Sequence, residues 1–153
     1  MRLALYEPDI PQNAGTLVRL AACLDIGIDI IEPCGFVFSE AGFRRAGMDY
    51  RDLAQITRHA SWEAFHDSHR RAGRGRLVLL TTKATHSYID FVFAPDDTLL
   101  LGRESAGVPE IVHATADARL VIPLKAGLRS LNVAVAGAIV LGEALRQTKG
   151  FPG

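Results

Sequence analysis

Short apolar runs separated by longer stretches of mixed polarity set the rhythm of this chain. Arg2–Tyr6, Ile28–Ile31, Ala54–Thr57, Arg76–Thr81, Thr98–Leu101 and Arg119–Ile122 read as strands, because each is brief and most are rich in Leu, Ile or Val. Pro8 and Pro11 break the first strand. Leu17, Leu20, Ala21 and Leu24 then recur at helical spacing, which predicts a helix over about Asn13–Asp25 ended by Gly27. Ser61 is placed to cap a helix reaching Arg71 and stopped by Gly73. A short helix is expected near Ser39–Ala46, and a last one over about Leu131–Gln147. Strands alternating with helices predict an α/β fold, a mostly parallel sheet flanked by helices on both faces. No linker, repeat or low-complexity tract interrupts the pattern, so 1–153 reads as a single domain.

The last helix departs from the amphipathic rule. From Val133 to Leu141 no polar residue appears, and a helix apolar all round must be covered on every side. Either the chain wraps it or a second subunit does. Its small residues would admit a close neighbour.

Composition narrows the function classes. Lys+Arg and Asp+Glu are both 17, so bulk charge does not drive nucleic-acid binding and any basic patch must be local. Cys23 and Cys34 are too few for a disulfide framework and point to a reducing compartment; Cys23 reads as core packing and Cys34 as a loop thiol. Met1 leads straight into a strand, and no apolar run approaches the ~20 residues of a membrane span. The expectation is a cytoplasmic protein with no membrane partner.

Candidate chemistry gathers where strands give way to loops. Pro11–Arg19, Leu99–Glu110 and Val121–Asn132 each place Gly, Asn, Ser or a charge at such a point, the position at which open α/β sheets build ligand sites. Gly102 and Gly107 have phosphate-loop spacing, but Val108-Pro109 replace the lysine and hydroxyl that triphosphate hydrolysis needs. His66 and His69 read as a solvated helix face, with no third metal ligand nearby, and no metal is expected. Ser105 and Ser130 lack a histidine partner in sequence, and Ser130 before Leu131 also reads as a helix N-cap.

Together these segments resemble the SPOUT superfamily of S-adenosylmethionine-dependent RNA methyltransferases, most closely its small TrmL/YibK-like branch of tRNA 2′-O-ribose methyltransferases. Leu5–Pro8 with Ile10–Gly15 resembles the first motif, Gly102–Glu110 the second and Ile122–Asn132 the third. Ile31–Phe36, Arg44–Tyr50 and Leu80–Lys83 look like branch-specific stretches. The similarity covers almost the whole chain. It implies a SPOUT fold with a C-terminal deep trefoil knot, a homodimer whose interface takes the last helix, and S-adenosyl-L-methionine as methyl donor. The implied substrate is the wobble cytidine or uridine of a tRNA anticodon loop. Another tRNA or rRNA ribose, and a non-catalytic RNA-binding module, stand as alternatives.

By the same resemblance, Leu80, Gly102, Ile122 and Ser130 match cofactor-contacting positions, with adenosine against the bare Cα of Gly102. Asn13, Arg19, Glu104, Ser130 and Asn132 match the active-site set. Arg19 is the family's candidate for activating the hydroxyl, in its own subunit or across the dimer. Guanidinium is ordinarily a donor only, which leaves phosphate binding by Arg19 with a water or Glu104 taking the proton as the other assignment. Arg44, Arg45 and Arg51 form one candidate RNA patch with Arg19; Arg70, Arg71, Arg74 and Arg76 form a second, which reads equally well as a solvated helix end. Arg103, where the branch usually has proline, and the apolar Val133–Val135 depart from the pattern and spare the cofactor positions.

Overall fold

The computed structural model describes residues 1–39 and 54–153. Arg44, Arg45, Arg51 and nearly all of the helix expected near Ser39–Ala46 lie outside the described residues. Among the described residues the strands and α-helices follow in chain order as β1 (Arg2–Tyr6), α1 (Pro11–Cys23), β2 (Gly27–Ile31), β3 (Gln55–His59), α2 (Trp62–Arg71), β4 (Leu77–Leu80), β5 (Thr98–Leu101), α3 (Glu110–Thr115), β6 (Ala118–Leu120) and α4 (Val133–Thr148). The six strands form one sheet in the order β3-β2-β1-β5-β4-β6, and every pairing is parallel.

Strand side chains alternate between faces even where the sequence is continuously apolar. Leu3, Leu5, Ile28, Ile30, Leu99 and Leu101 face α1 and α4, packing with Leu17, Val18, Val140 and Leu141. Ala4, Tyr6, Ile31, Leu79 and Leu100 face α2 and α3, packing with Trp62, Phe65 and Val112. Both faces of the central strands are therefore covered, while edge strand β3 stays largely exposed. Truncating a fully buried side chain such as Leu100 to Ala costs about 2–5 kcal/mol.

Several local expectations change. Helix α1 starts at Pro11, whose missing N–H costs nothing in a first turn. Helix α3 was not expected: six residues with one buried position, Val112, are too short to show a period. Cys23 is exposed at the end of α1, not packed in the core, because it lies on the stripe of Gln12, Thr16 and Arg19 that faces away from the sheet. His69 is buried, with Nε2 3.3 Å from Thr98 Oγ1, so the His66/His69 pair is not one solvated face. His66 stacks on Trp62 instead. The cap of α4 is Asn132, which accepts from the N–H groups of Ala134 (2.8 Å) and Val135 (3.2 Å); Ser130 lies in the preceding loop.

Helix α4 is covered on one side only. Ala134, Gly137, Val140, Leu141, Ala144 and Leu145 are buried, while Val135 is 48% and Ile139 38% exposed. Among the described residues, no helix is long and apolar enough to cross a membrane.

Candidate functional site

Neighbouring strands β1 and β5 send their following helices to opposite faces of the sheet, α1 to one and α3 to the other. Such a switch point leaves a crevice at the strand carboxyl ends. A cavity of about 510 Å3 occupies it, walled by the ends of β4, β5 and β6 and by the loops that follow them.

One side of the cavity carries a polar relay. Asn132 Nδ2 donates to Asn13 Oδ1 at 2.9 Å, and Asn13 Nδ2 reaches Glu104 Oε1 at 3.4 Å. Glu104 Oε2 accepts from the Asp9 N–H at 2.9 Å, while the Glu104 N–H donates to Asp9 Oδ1 at 3.2 Å. Ser105 Oγ donates to the other oxygen of Asp9. Three distant stretches are thus tied together: the loop after β1, the loop after β5 and the cap of α4. Arg103 adds ion pairs to Glu7 (3.4 Å) and Asp9 (3.6 Å). Glu7 itself has φ of 40°, a left-handed conformation that non-glycine residues adopt at a cost and that clusters at functional sites.

Charge is unevenly shared here. The contact with Glu104, helped by Ser105, holds the Asp9 carboxyl down at about 2. Burial and the contact with Asp9 push Glu104 above the ordinary carboxyl value. A carboxyl that binds its proton more tightly is a stronger base once ionised, and this one opens onto the cavity.

The other side is mostly apolar. Leu79, Leu80, Leu101, Val108, Leu120 and Ile122 line it. His113 on α3 joins them with a buried Nε2 that has no hydrogen-bond partner among the described residues. Gly102 also has a structural reason. A Cβ there would meet the Gly107 carbonyl carbon and Cα at 2.9 Å, so its bareness serves loop closure. Gly107, at φ 65°, exchanges two backbone hydrogen bonds with Arg103 (2.8 and 3.0 Å) and folds the loop back on itself.

The structure brings Asn13, Glu104, Ser130 and Asn132 to one cavity with Leu80, Gly102 and Ile122. Arg19 is not among its lining residues; it is exposed on the outer stripe of α1. Arg70, Arg71, Arg74 and Arg76 stand before β4, at the opposite end of the strands from the cavity, and Arg76 is bound to Asp97 at 2.8 Å. Sequence reasoning missed Asp9 as a member of the relay, and His113 and Thr81–Lys83 as wall residues. The polar Asp9 between two prolines and the branch-like stretch Leu80–Lys83 offered signals; His113 offered none.

A family model for the SpoU rRNA methylase family matches residues 1–142. The chain belongs to the SpoU methylase family. Its relatives include proteins named tRNA (cytidine(34)-2′-O)-methyltransferase: one from Ancylobacter novellus is 64% identical over 151 residues, covering 99% of this chain and 95% of that protein. One from Escherichia coli K12 is 37% identical, covering 100% and 96%. Among solved structures, one described as structural insights into the 2-OH methylation of C/U34 on tRNA superposes with a TM-score of 0.90 at 39% identity, over 97% of this chain and 96% of that one. An AdoMet-bound rRNA methyltransferase from Sinorhizobium meliloti gives 0.83 at 31% identity, over 95% of this chain and 55% of that one. The SpoU match and these structures bear out the resemblance and the α/β fold.

Proposed function

We propose that this SpoU-family chain is an S-adenosylmethionine-dependent methyltransferase acting on the ribose 2′-hydroxyl of the wobble pyrimidine, nucleotide 34, of tRNA. The observation that carries the reading is the 64% identity, over nearly the whole chain, to a relative named for that reaction. The cytoplasm is where such a substrate is met, and the threaded knot of the SPOUT fold belongs to the same reading.

The residues present fit the donor. The volume lies within the roughly 300–1,000 Å3 of cofactor sites, and an apolar shelf faces a polar rim. Nothing in the reaction calls for a metal. When bound, S-adenosylmethionine supplies a sulfonium methyl group that passes to the 2′-oxygen as its carbon–sulfur bond breaks, leaving a neutral thioether.

Main-chain groups at Leu80, Gly102 and Ile122 hold the adenosine, and Ser130 orients the donor beside the α4 cap. Glu104 receives the hydroxyl proton at Oε1, the oxygen nearest Asn13. Asn13 and Asn132 are positioning residues, because every polar atom of their side chains already serves the relay or the helix cap. Orientation of this kind supplies much of the rate gain in a methyl transfer.

Arg19 acts across a twofold contact in this reading. The exposed stripes of α1 (Thr16, Arg19, Cys23) and α4 (Val135, Ala138, Ile139) lie on helices packed on the same face of the sheet. A second copy docked there covers the apolar side of α4 and carries its own Arg19 toward this cavity, where the guanidinium grips a phosphate beside the target ribose. Arg44, Arg45 and Arg51 add RNA contacts.

The test is nucleotide-resolved mapping of ribose methylation after incubating purified protein with labelled donor and unmodified tRNA. Methyl at the 2′-oxygen of nucleotide 34 is expected. Methyl on a base, or on another ribose, overturns the assignment.

A further inference from the structure

We infer that the turn Lys125–Leu128, with Arg129 and Lys83, is a grip for single-stranded RNA at the cavity mouth: three cations on backbone phosphates and Leu128 against an unstacked base. The inference rests on the RNA-methyltransferase reading above and deepens it.

Placement comes first. Lys83 lines the cavity, as do Leu124 and Ser130, which bracket the turn. The loops after β4 and β6 run side by side, the Val121 N–H donating to the His86 carbonyl at 2.9 Å and the Tyr88 N–H to the Val121 carbonyl at 3.0 Å. The three cations therefore border one opening.

The turn itself is built to project. The Leu128 N–H donates to the Lys125 carbonyl at 3.2 Å, and Gly127 has φ of 88°. These are the marks of a type II turn, whose third position strains any residue with a Cβ. Leu128 is 67% exposed at its end, and every residue from Pro123 to Asn132 is exposed. A large apolar side chain between two cations suits a base that has left its stack, with its phosphates on either side.

Charge availability supports these three. Arg103 is held by Glu7 and Asp9, Arg58 by Glu32, and Arg119 by carbonyls at the end of α3. Lys83, Lys125 and Arg129 make no ion pair among the described residues. The second basic stretch, Arg70–Arg74, cannot serve the same nucleotide. It stands at the far end of β4, and that strand alone spans about 13 Å.

The test measures affinity for an unmodified tRNA across a salt series with K83A, K125A, R129A and L128S, and donor affinity by calorimetry. Each lysine or arginine variant is expected to flatten the slope of log affinity against log salt by about 0.7–1 while donor affinity stays within about twofold. L128S weakens RNA binding with the slope unchanged, and the triple variant R70A/R71A/R74A leaves the slope as it was. Unchanged slopes in all three mouth variants overturn the grip, as does a loss confined to donor affinity, which would put these cations on the donor's carboxylate. A wild-type chain that methylates no tRNA while the mouth variants still flatten the slope overturns the enzymatic reading and leaves the grip standing.

Discussion

Two polar clusters lie on this sheet, and they are built on opposite plans. Beneath α2, Asp29 is shared between two donors: Arg2 Nε at 2.7 Å on one oxygen and His59 Nε2 at 2.8 Å on the other. The Arg2 guanidinium lies so close over Gly27 that a Cβ there would meet Nη1 at 1.8 Å. At the cavity the ratio is reversed. Two carboxyls, Glu7 and Asp9, share a single guanidinium, Arg103, while burial and the contact with Asp9 push the neighbouring Glu104 toward its protonated form. In the first cluster both carboxylate oxygens are engaged and buried, although Arg2 Nη2 has no hydrogen-bond partner among the described residues. The second is crowded and opens onto a space for a ligand. Burial of polar groups marks both; an unsettled charge beside a cavity marks the site.

The contrast can be broken most sharply at its two acids. Glu104→Gln should lower the methylation rate by about 10^2–10^4-fold with donor affinity little changed, and should abolish the fall in rate at low pH. In wild type that fall lies above the ordinary carboxyl value of 4.5, since burial raises the group. Steady-state kinetics against pH with calorimetry separates the outcomes. Asp29→Ala should do the reverse: about 3–5 kcal/mol of stability lost in denaturant unfolding, because Arg2 is left largely buried without its carboxylate, and an unchanged rate per folded molecule.

Smaller effects sharpen it further. Gly102→Ala forces the loop off Gly107 and should cost about 1–3 kcal/mol, read as weaker donor binding together with a lower melting point. Asp9→Asn should lower stability at neutral pH and lose that effect in acid, read by denaturant unfolding across a pH series. A carboxyl held at about 2 against an ordinary 3.8 contributes stability above 3.8 that is lost as pH falls toward 2, so wild type and variant converge over that window. Glu104 has the opposite sign. Its raised value favours the folded state below 4.5, a contribution lost as pH rises through the folded value.

Much of this was legible beforehand, and the residues say why. The apolar runs of β1, β2, β4 and β5 and the period of Leu17, Leu20, Ala21 and Leu24 are local signals, so the parallel α/β plan could be read directly. The convergence of Asn13, Glu104, Ser130 and Asn132 came from resemblance, because no local signal joins residues 119 apart such as Asn13 and Asn132. Helix α3 was too short for a period. His69 was misread because facing the sheet or facing water is decided by which side of α2 packs, and His66 and His69, three positions apart, gave no clue to that. The reason for Gly102 was invisible, since it depends on how closely a backbone five residues away returns.

Hydrogen exchange with and without S-adenosylhomocysteine tests most directly which of the two clusters belongs to the site. Ligand should slow exchange in the loops 102–108 and 121–132 and at the end of β4, while the strands around Asp29 and His59 keep their rates. Protection centred on β2 and β3, or binding that leaves the 102–108 and 121–132 loops unprotected, would contradict the assignment of the cavity.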